Sequence, residues 1–140
     1  MEAWSLHMLA LAAAGQHHFD EARELATHAL RHFYEAGDIA GVTLVIDDLA
    51  IVAANAADLP RAGRLWGAAR HLQQTSGATL ADYVEQNYAM FGVPTPHHAM
   101  SADELAPLAA EGAAMGLDEL VAYALGIERS TLLSPHGESP

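Results

Sequence analysis

Histidine spacing is the first feature of this sequence that suggests chemistry. His28 and His32 are four residues apart, which places both on one face of a helix, and Glu24 lies one turn earlier. Helical histidines at this spacing bind zinc, so a zinc hydrolase is one alternative. The apolar stripe of the same segment occupies other positions, and we therefore expect both histidines to face solvent and predict no metal or other cofactor. That stripe comprises Ala22, Leu25, Ala26, Ala29 and Phe33.

Two further histidine pairs, His17-His18 and His97-His98, lie in segments without helical periodicity. Adjacent side chains in a loop point apart, so neither pair is arranged to hold one ion. We expect all four histidines to be surface residues.

The adjacent acids Asp47 and Asp48 are the other candidates for catalysis. Carboxylate catalysis of the glycosidase type needs two acids that converge across a cleft from different elements, whereas these two are neighbours on one predicted helix. We expect them at a solvated or partner-facing edge. The chain also has no Gly-x-Ser-x-Gly turn, and we predict that it is not an enzyme.

Composition excludes several classes of function. The 140 residues are enough for one domain with a modest core. There is no cysteine, which excludes disulfides and thiolate chemistry and fits a reducing compartment. Six arginines and no lysine stand against 18 acids, for a net charge of −12. So acidic a surface repels phosphate backbones, and we predict no nucleic-acid partner.

The first residues, MEAWSLHMLALAAAG, resemble a signal peptide only superficially. They lack the basic region that precedes the apolar core of such a peptide, because Glu2 is acidic and the first basic residue is Arg23. No apolar run has the length of a membrane span. We expect an amphipathic first helix, no membrane partner and a cytoplasmic protein.

Residues 38–77 form the organising segment of the sequence. Asp38 follows Gly37, so a helix stop and an N-terminal capping carboxylate are adjacent. A second helix is expected to begin at Asp58, where Pro60 suits the first turn. The connection between the two is short enough to require an antiparallel helical hairpin.

The hairpin recurs 40 residues upstream. The matching positions are small residues or leucines that would face the partner helix, where small side chains let two backbones approach closely. A helical hairpin that repeats at this period indicates a solenoid. The identities pair Leu9, Ala10, Ala13, Ala14, Ala22, Leu25 and Ala29 with Leu49, Ala50, Ala53, Ala54, Ala62, Leu65 and Ala69.

The spacing of these positions resembles a tetratricopeptide-type (TPR-type) repeat. With that resemblance, we predict an all-α domain at residues 1–126, a right-handed antiparallel helical-hairpin repeat (TPR-like α-solenoid) of about seven helices. Residues 127–140 are expected to be a disordered tail and residues 93–98 a rigid connector. The seven helices are predicted at about 2–14, 19–36, 38–55, 58–77, 80–91, 101–115 and 117–126.

A second resemblance is carried by GDIAGVTLVIDDLAIVAANAADLPRAGRLWGAARHLQQTSG and EGAAMGLDELVAYALG. These stretches resemble the C-terminal segment of bacterial signal-transduction ATPases and of their LuxR-type or cyclase-linked relatives. The resemblance implies a protein–protein interaction or regulatory module, the C-terminal part of a larger signalling or transcriptional regulator. The nucleotide-binding loop of that family needs a lysine, which this chain lacks.

In such arrays the first helix of each pair lines the inner, partner-binding face. The partner would be a protein or peptide, or upstream domains of the same polypeptide, and packing against a second copy as a homodimer is equally open. An alternative function is a small-molecule effector site lined by Trp4, Trp66, Tyr83 and Tyr88. The predicted partner-binding residues are Trp4, His7, Leu11, Leu44, Asp47, Ile51 and Asn55.

Overall fold

The computed structural model describes residues 2–77 and 80–133, except for the side chains of residues 80 and 81. Within these ranges the regular secondary structure is all helical, with nine helices and no strand. The helices are α1 (Ala3–Gly15), α2 (Phe19–Glu35), α3 (Ile39–Asn55), α4 (Leu59–Ser76), α5 (Leu80–Met90), α6 (Pro96–Ala99), α7 (Ala102–Ala113), α8 (Leu117–Leu125) and α9 (Arg129–Leu133).

Two of these helices were not expected. The predicted connector contains α6, a single turn that begins at Pro96, where the fixed φ of proline favours a helical start. The predicted disordered tail contains α9, in which the Glu128 carbonyl accepts the amides of Thr131 and Leu132. Helix α9 is about one turn long, and its partly buried Leu132 packs against the core. A helix this short has no apolar periodicity that a sequence could reveal. The rest of the predicted tail, residues 134–140, lies outside the described residues.

Helix ends follow the predicted capping residues. The Asp38 carboxylate accepts the Gly41 amide at 3.0 Å, and the Asp58 carboxylate accepts the Arg61 amide at 3.3 Å. These local bonds satisfy amides that a helix start leaves free. The hairpin of α3 and α4 therefore begins its two helices where the sequence predicts.

Helix α3 is the centre of the molecule, since every residue from Gly41 to Ala53 is buried. Consecutive helices from α1 to α4 pack against one another, which fits a helical repeat. Helix α5 covers one side of α3, and α8 joins the core that α2, α3 and α4 form on another side. Ala22 and Ala62, small residues predicted to face partner helices, have no exposed surface, whereas the same prediction is wrong for Leu9, which is 44% exposed.

Glycines bring the backbones of α4 and α7 into contact. A methyl group on Gly67 would lie 2.2 Å from the Ala109 carbonyl oxygen, and one on Gly112 would lie 1.8 Å from the Arg64 carbonyl oxygen. Real Cβ atoms do not approach a backbone so closely, so only glycine permits this crossing. Apolar periodicity does not predict this contact, although the glycines four residues apart at positions 63 and 67 are a signal for it.

The Gly112→Ala variant tests this close approach. We expect a loss of about 1–3 kcal/mol in the free energy of unfolding, because the methyl group must separate two helices. The loss should appear even though alanine is intrinsically better than glycine in a helix. Urea denaturation measures it against Gly116→Ala, where an added methyl meets no atom within 4 Å. Equal losses in the two variants would contradict the crossing.

Candidate functional site

The acidic pair lies in the core and not at a solvated edge. Asp47 and Asp48 are both 0% exposed, so that expectation is wrong. The physical reason is that α1, α4 and α5 supply polar partners to the same stretch of α3. Buried carboxylates persist only where such partners compensate the lost hydration.

Asp48 joins three helices. Its Oδ2 lies 2.5 Å from Nδ1 of His7 on α1, and its Oδ1 accepts the Tyr88 hydroxyl of α5 at 3.1 Å. Burial raises the pKa of Asp48 against the opposing effects of these partners. Burial alone would lower the pKa of His7, but the charge and hydrogen bond of Asp48 outweigh it and raise that pKa. The pair is therefore a buried polar contact between α1 and α3.

Asp47 begins a second set of contacts that runs to the surface. Its Oδ1 accepts Nη1 of Arg70, and Nη2 of the same guanidinium donates to Glu85. The other Glu85 oxygen lies 3.0 Å from Nε2 of His97, which is half exposed. Burial raises the pKa of Asp47 to about 7, and the Arg70 charge opposes that rise. These contacts connect α3, α4, α5 and α6.

Three buried polar atoms in this region have no hydrogen-bond partner among the described residues. They are Oδ2 of Asp47, Nε1 of Trp66 and Nδ2 of Asn87, from α3, α4 and α5 respectively. The Trp66 ring instead packs against the Arg70 guanidinium, which lies 4.6 Å from the ring centroid. A buried polar atom without a hydrogen-bond partner costs stability, so these three atoms weaken the packing of α3, α4 and α5.

The two acids have the wrong access for catalysis. A general acid or base must reach hydrogen-bond distance of its substrate, and neither carboxyl group has exposed surface. Within residues 2–77 and 80–133, no group of three or more His, Asp or Glu side chains could hold a metal ion. His28 and His32 are exposed on α2, as predicted, and so are the paired histidines at 17–18 and 97–98. The buried contacts of Asp47 and Asp48 therefore link helices of the core.

The predicted inner binding strip is not an open surface. Val84 and Tyr88 of α5 pack over it and share one core cluster with its leucine and isoleucine side chains. Sequence periodicity does not show that α5 folds back in this way. Among the seven predicted residues Trp4 is 48% exposed and Asn55 is partly exposed, with its Nδ2 bonded to the Pro94 carbonyl, whereas His7, Leu11, Leu44, Asp47 and Ile51 are buried.

The aromatic side chains of the predicted effector site make separate contacts. Trp4 packs edge-on to Phe33, Trp66 lies against Arg70 and His97, and the Tyr88 hydroxyl bonds Asp48. Tyr83 is 51% exposed. These contacts do not assemble an aromatic pocket.

The exposed surface of α1 is apolar. Trp4, Met8 and Leu9 are 48%, 52% and 44% exposed, and together with Ser5 they line a shallow depression of about 450 Å³. No Asp, Glu, Lys or Arg occurs within α1, and apolar side chains lie on both its buried and its exposed sides, so the expected amphipathic pattern is wrong. Its polar side chains are Ser5 and the buried His7. Of the predicted partner-binding residues only Trp4 belongs to this surface, although the run without Asp, Glu, Lys or Arg at residues 3–15 was the available signal.

A second concavity of about 650 Å³ lies between α2 and α4. One wall is α2 from Phe19 to His28, and the other is the start of α4 at Asp58 and Arg61. The end of α8 closes it on one side. Its floor is formed by the C-terminal half of α3, through Leu49, Val52 and Ala53.

Comparisons with known proteins identify no family: no family model, no curated protein and no solved structure matches this chain. The tetratricopeptide-like and LuxR-type resemblances therefore stay predictions. None of the helices in the described part of the chain is long and apolar enough to cross a membrane.

Proposed function

We propose that this domain is a non-catalytic protein–protein interaction module of the right-handed TPR-like kind. Its contact surface is the outer side of α1, defined by Trp4, Met8 and Leu9. The observation that carries the proposal is that these three large apolar side chains are exposed on a helix without Asp, Glu, Lys or Arg. A contiguous apolar patch of this type marks an interaction surface.

The partner that fits is an apolar helix. In a helical repeat each helix buries one face on the preceding unit and one on the following unit. Helix α1 already packs against α2 and α3 on one side, and its other side presents the same kind of apolar surface. The occupant would be a helix of a larger signalling or transcriptional regulator, or the same helix of a second copy.

Self-association gives the direct test. The purified chain should form a dimer through α1, and Met8→Glu should weaken that dimer at least about tenfold, because a charge would be buried in an apolar contact. Sedimentation equilibrium measures the dissociation constant, and thermal unfolding checks that the monomer stays folded. The control is Met90→Glu on α5, where the side chain is 82% exposed. The proposal would be contradicted if the native chain, Met8→Glu and Met90→Glu all had the same dissociation constant or all stayed monomeric.

A further inference from the structure

We propose that the concavity between α2 and α4 is a docking site for a short basic amphipathic helix of a partner protein. This helix would extend the position that α8 already occupies between the same two helices. The inference does not depend on the α1 surface, which lies elsewhere in the fold.

Helix α8 shows that the space between α2 and α4 accepts a helix. At its start, Asp118 accepts the Tyr34 hydroxyl of α2 at 2.5 Å. At its end, the Arg61 guanidinium of α4 donates to the carbonyls of Tyr123 and Ala124 at 3.2 and 2.7 Å. Helix α8 is thus hydrogen-bonded at both ends, and its Leu120, Val121 and Ala124 are buried in the core formed with α2, α3 and α4.

The same space continues beyond the end of α8. Gly126, at φ 73°, ends the helix, and the Ile127 amide turns back to the Ala122 carbonyl. Leu49 and Ala124 belong both to the core under α8 and to the lining of the open concavity. The open part therefore shares α2, α3 and α4 with the part that α8 fills.

The charges around the opening favour a basic partner. Asp20 and Glu24 project from the α2 wall, and neither forms an ion pair with another residue in the described ranges. The lining holds three carboxylates, Asp20, Glu24 and Asp58, and two guanidinium groups, Arg23 and Arg61, so its acids exceed its arginines by one. Arg61 donates to the carbonyls at the end of α8, and the whole chain carries −12. Lysine or arginine at the edges of an apolar helical stripe complements this arrangement.

The test uses two peptides based on α8 itself. The native segment LDELVAYAL keeps Asp118 and Glu119, whereas LRKLVAYAL carries arginine and lysine in their places. With blocked termini, the basic peptide should bind the full chain saturably in calorimetry, at least about tenfold more tightly than the acidic peptide. Equal affinities, or no binding by the basic peptide, would overturn the proposal.

Variants of the chain locate the binding. Ala56 is exposed at the edge of the concavity, so Ala56→Trp should fill the space and abolish binding of the basic peptide without disturbing the core. Asp20→Asn with Glu24→Gln should weaken binding at least about tenfold. The matched control, Asp82→Asn with Glu35→Gln, removes two exposed acids elsewhere and should leave the affinity unchanged. Binding that survives Ala56→Trp would be non-specific attraction and would contradict the site.

Spermidine distinguishes a small cation from a helix as the occupant. Spermidine has the positive charge of the basic peptide but no apolar face, so we expect it to bind weakly and without sensitivity to Ala56→Trp. Saturable spermidine binding that Ala56→Trp abolishes, together with no peptide binding, would overturn the proposal in favour of a small-molecule site.

Discussion

Replacing His7 by alanine should lower the free energy of unfolding by about 3–5 kcal/mol at neutral pH. The variant leaves the Asp48 carboxylate 0% exposed with only the Tyr88 hydroxyl as its partner. A buried charge without its counter-charge destabilises the fold by more than the intact pair stabilises it. Urea unfolding, followed by circular dichroism, measures the loss.

A double-mutant cycle separates the charge effect from lost packing. Asp48→Asn keeps a group that can accept the Tyr88 hydroxyl but carries no charge, so we expect a smaller loss than for His7→Ala. The combined variant should cost less than the sum of the two single variants, since no buried charge remains. His28→Ala, on the exposed face of α2, should change stability by less than about 0.5 kcal/mol. A His7→Ala loss as small as that of His28→Ala would mean that the pair is not a buried ion pair.

Stability should also fall as the pH rises towards 7, because Asp47 holds its proton more tightly in the folded chain than in the unfolded chain. Its pKa rises from 3.8 to about 7 on folding. Above the unfolded value the unfolded state loses this proton first, so folding is penalised increasingly until the pH passes the folded value. Between about pH 5 and pH 7 the two units of pH correspond to about 3 kcal/mol of unfolding free energy.

The pH profile has two controls. Asp47→Asn should flatten the decline between about pH 5 and 7, and the raised pKa values of His7 and Asp48 should leave a residual slope of the same sign. Glu35→Gln, an exposed acid at the end of α2, should leave the profile unchanged. Denaturant titrations at each pH provide the measurement. A native profile as flat as that of Asp47→Asn would show that the pKa of Asp47 does not rise on folding.

The parts of the fold that sequence predicts are those that local interactions determine. Asp38 and Asp58 cap helices through amides three residues away, and Ser101 forms a reciprocal capping box with Glu104. Such bonds depend on spacing alone, so the sequence contains them. The small residue Ala62 is also buried where the repeat predicts it.

The parts that sequence misses depend on partners distant in the chain. Asp48 bonds His7 and Tyr88, which lie 41 and 40 residues away in opposite directions. The residues next to an acid in the sequence do not show whether the folded chain will bring distant hydrogen-bond partners to it or leave it in water. The same limit applies to the inner strip, since only the path of α5 decides whether Leu44 is exposed.

Helix α8 has a mechanical consequence for the molecule. Units of a helical repeat contact only their neighbours, and such arrays bend at the joints between units. Here the Tyr34 hydroxyl of the first hairpin bonds Asp118 of α8, and Arg61 of the second hairpin bonds the Ala124 carbonyl of α8. Helix α8 therefore links the two hairpins and restricts their relative movement. The width of the adjoining concavity is consequently fixed by contacts within the chain, so the helix proposed to dock there would not have to order the walls on binding.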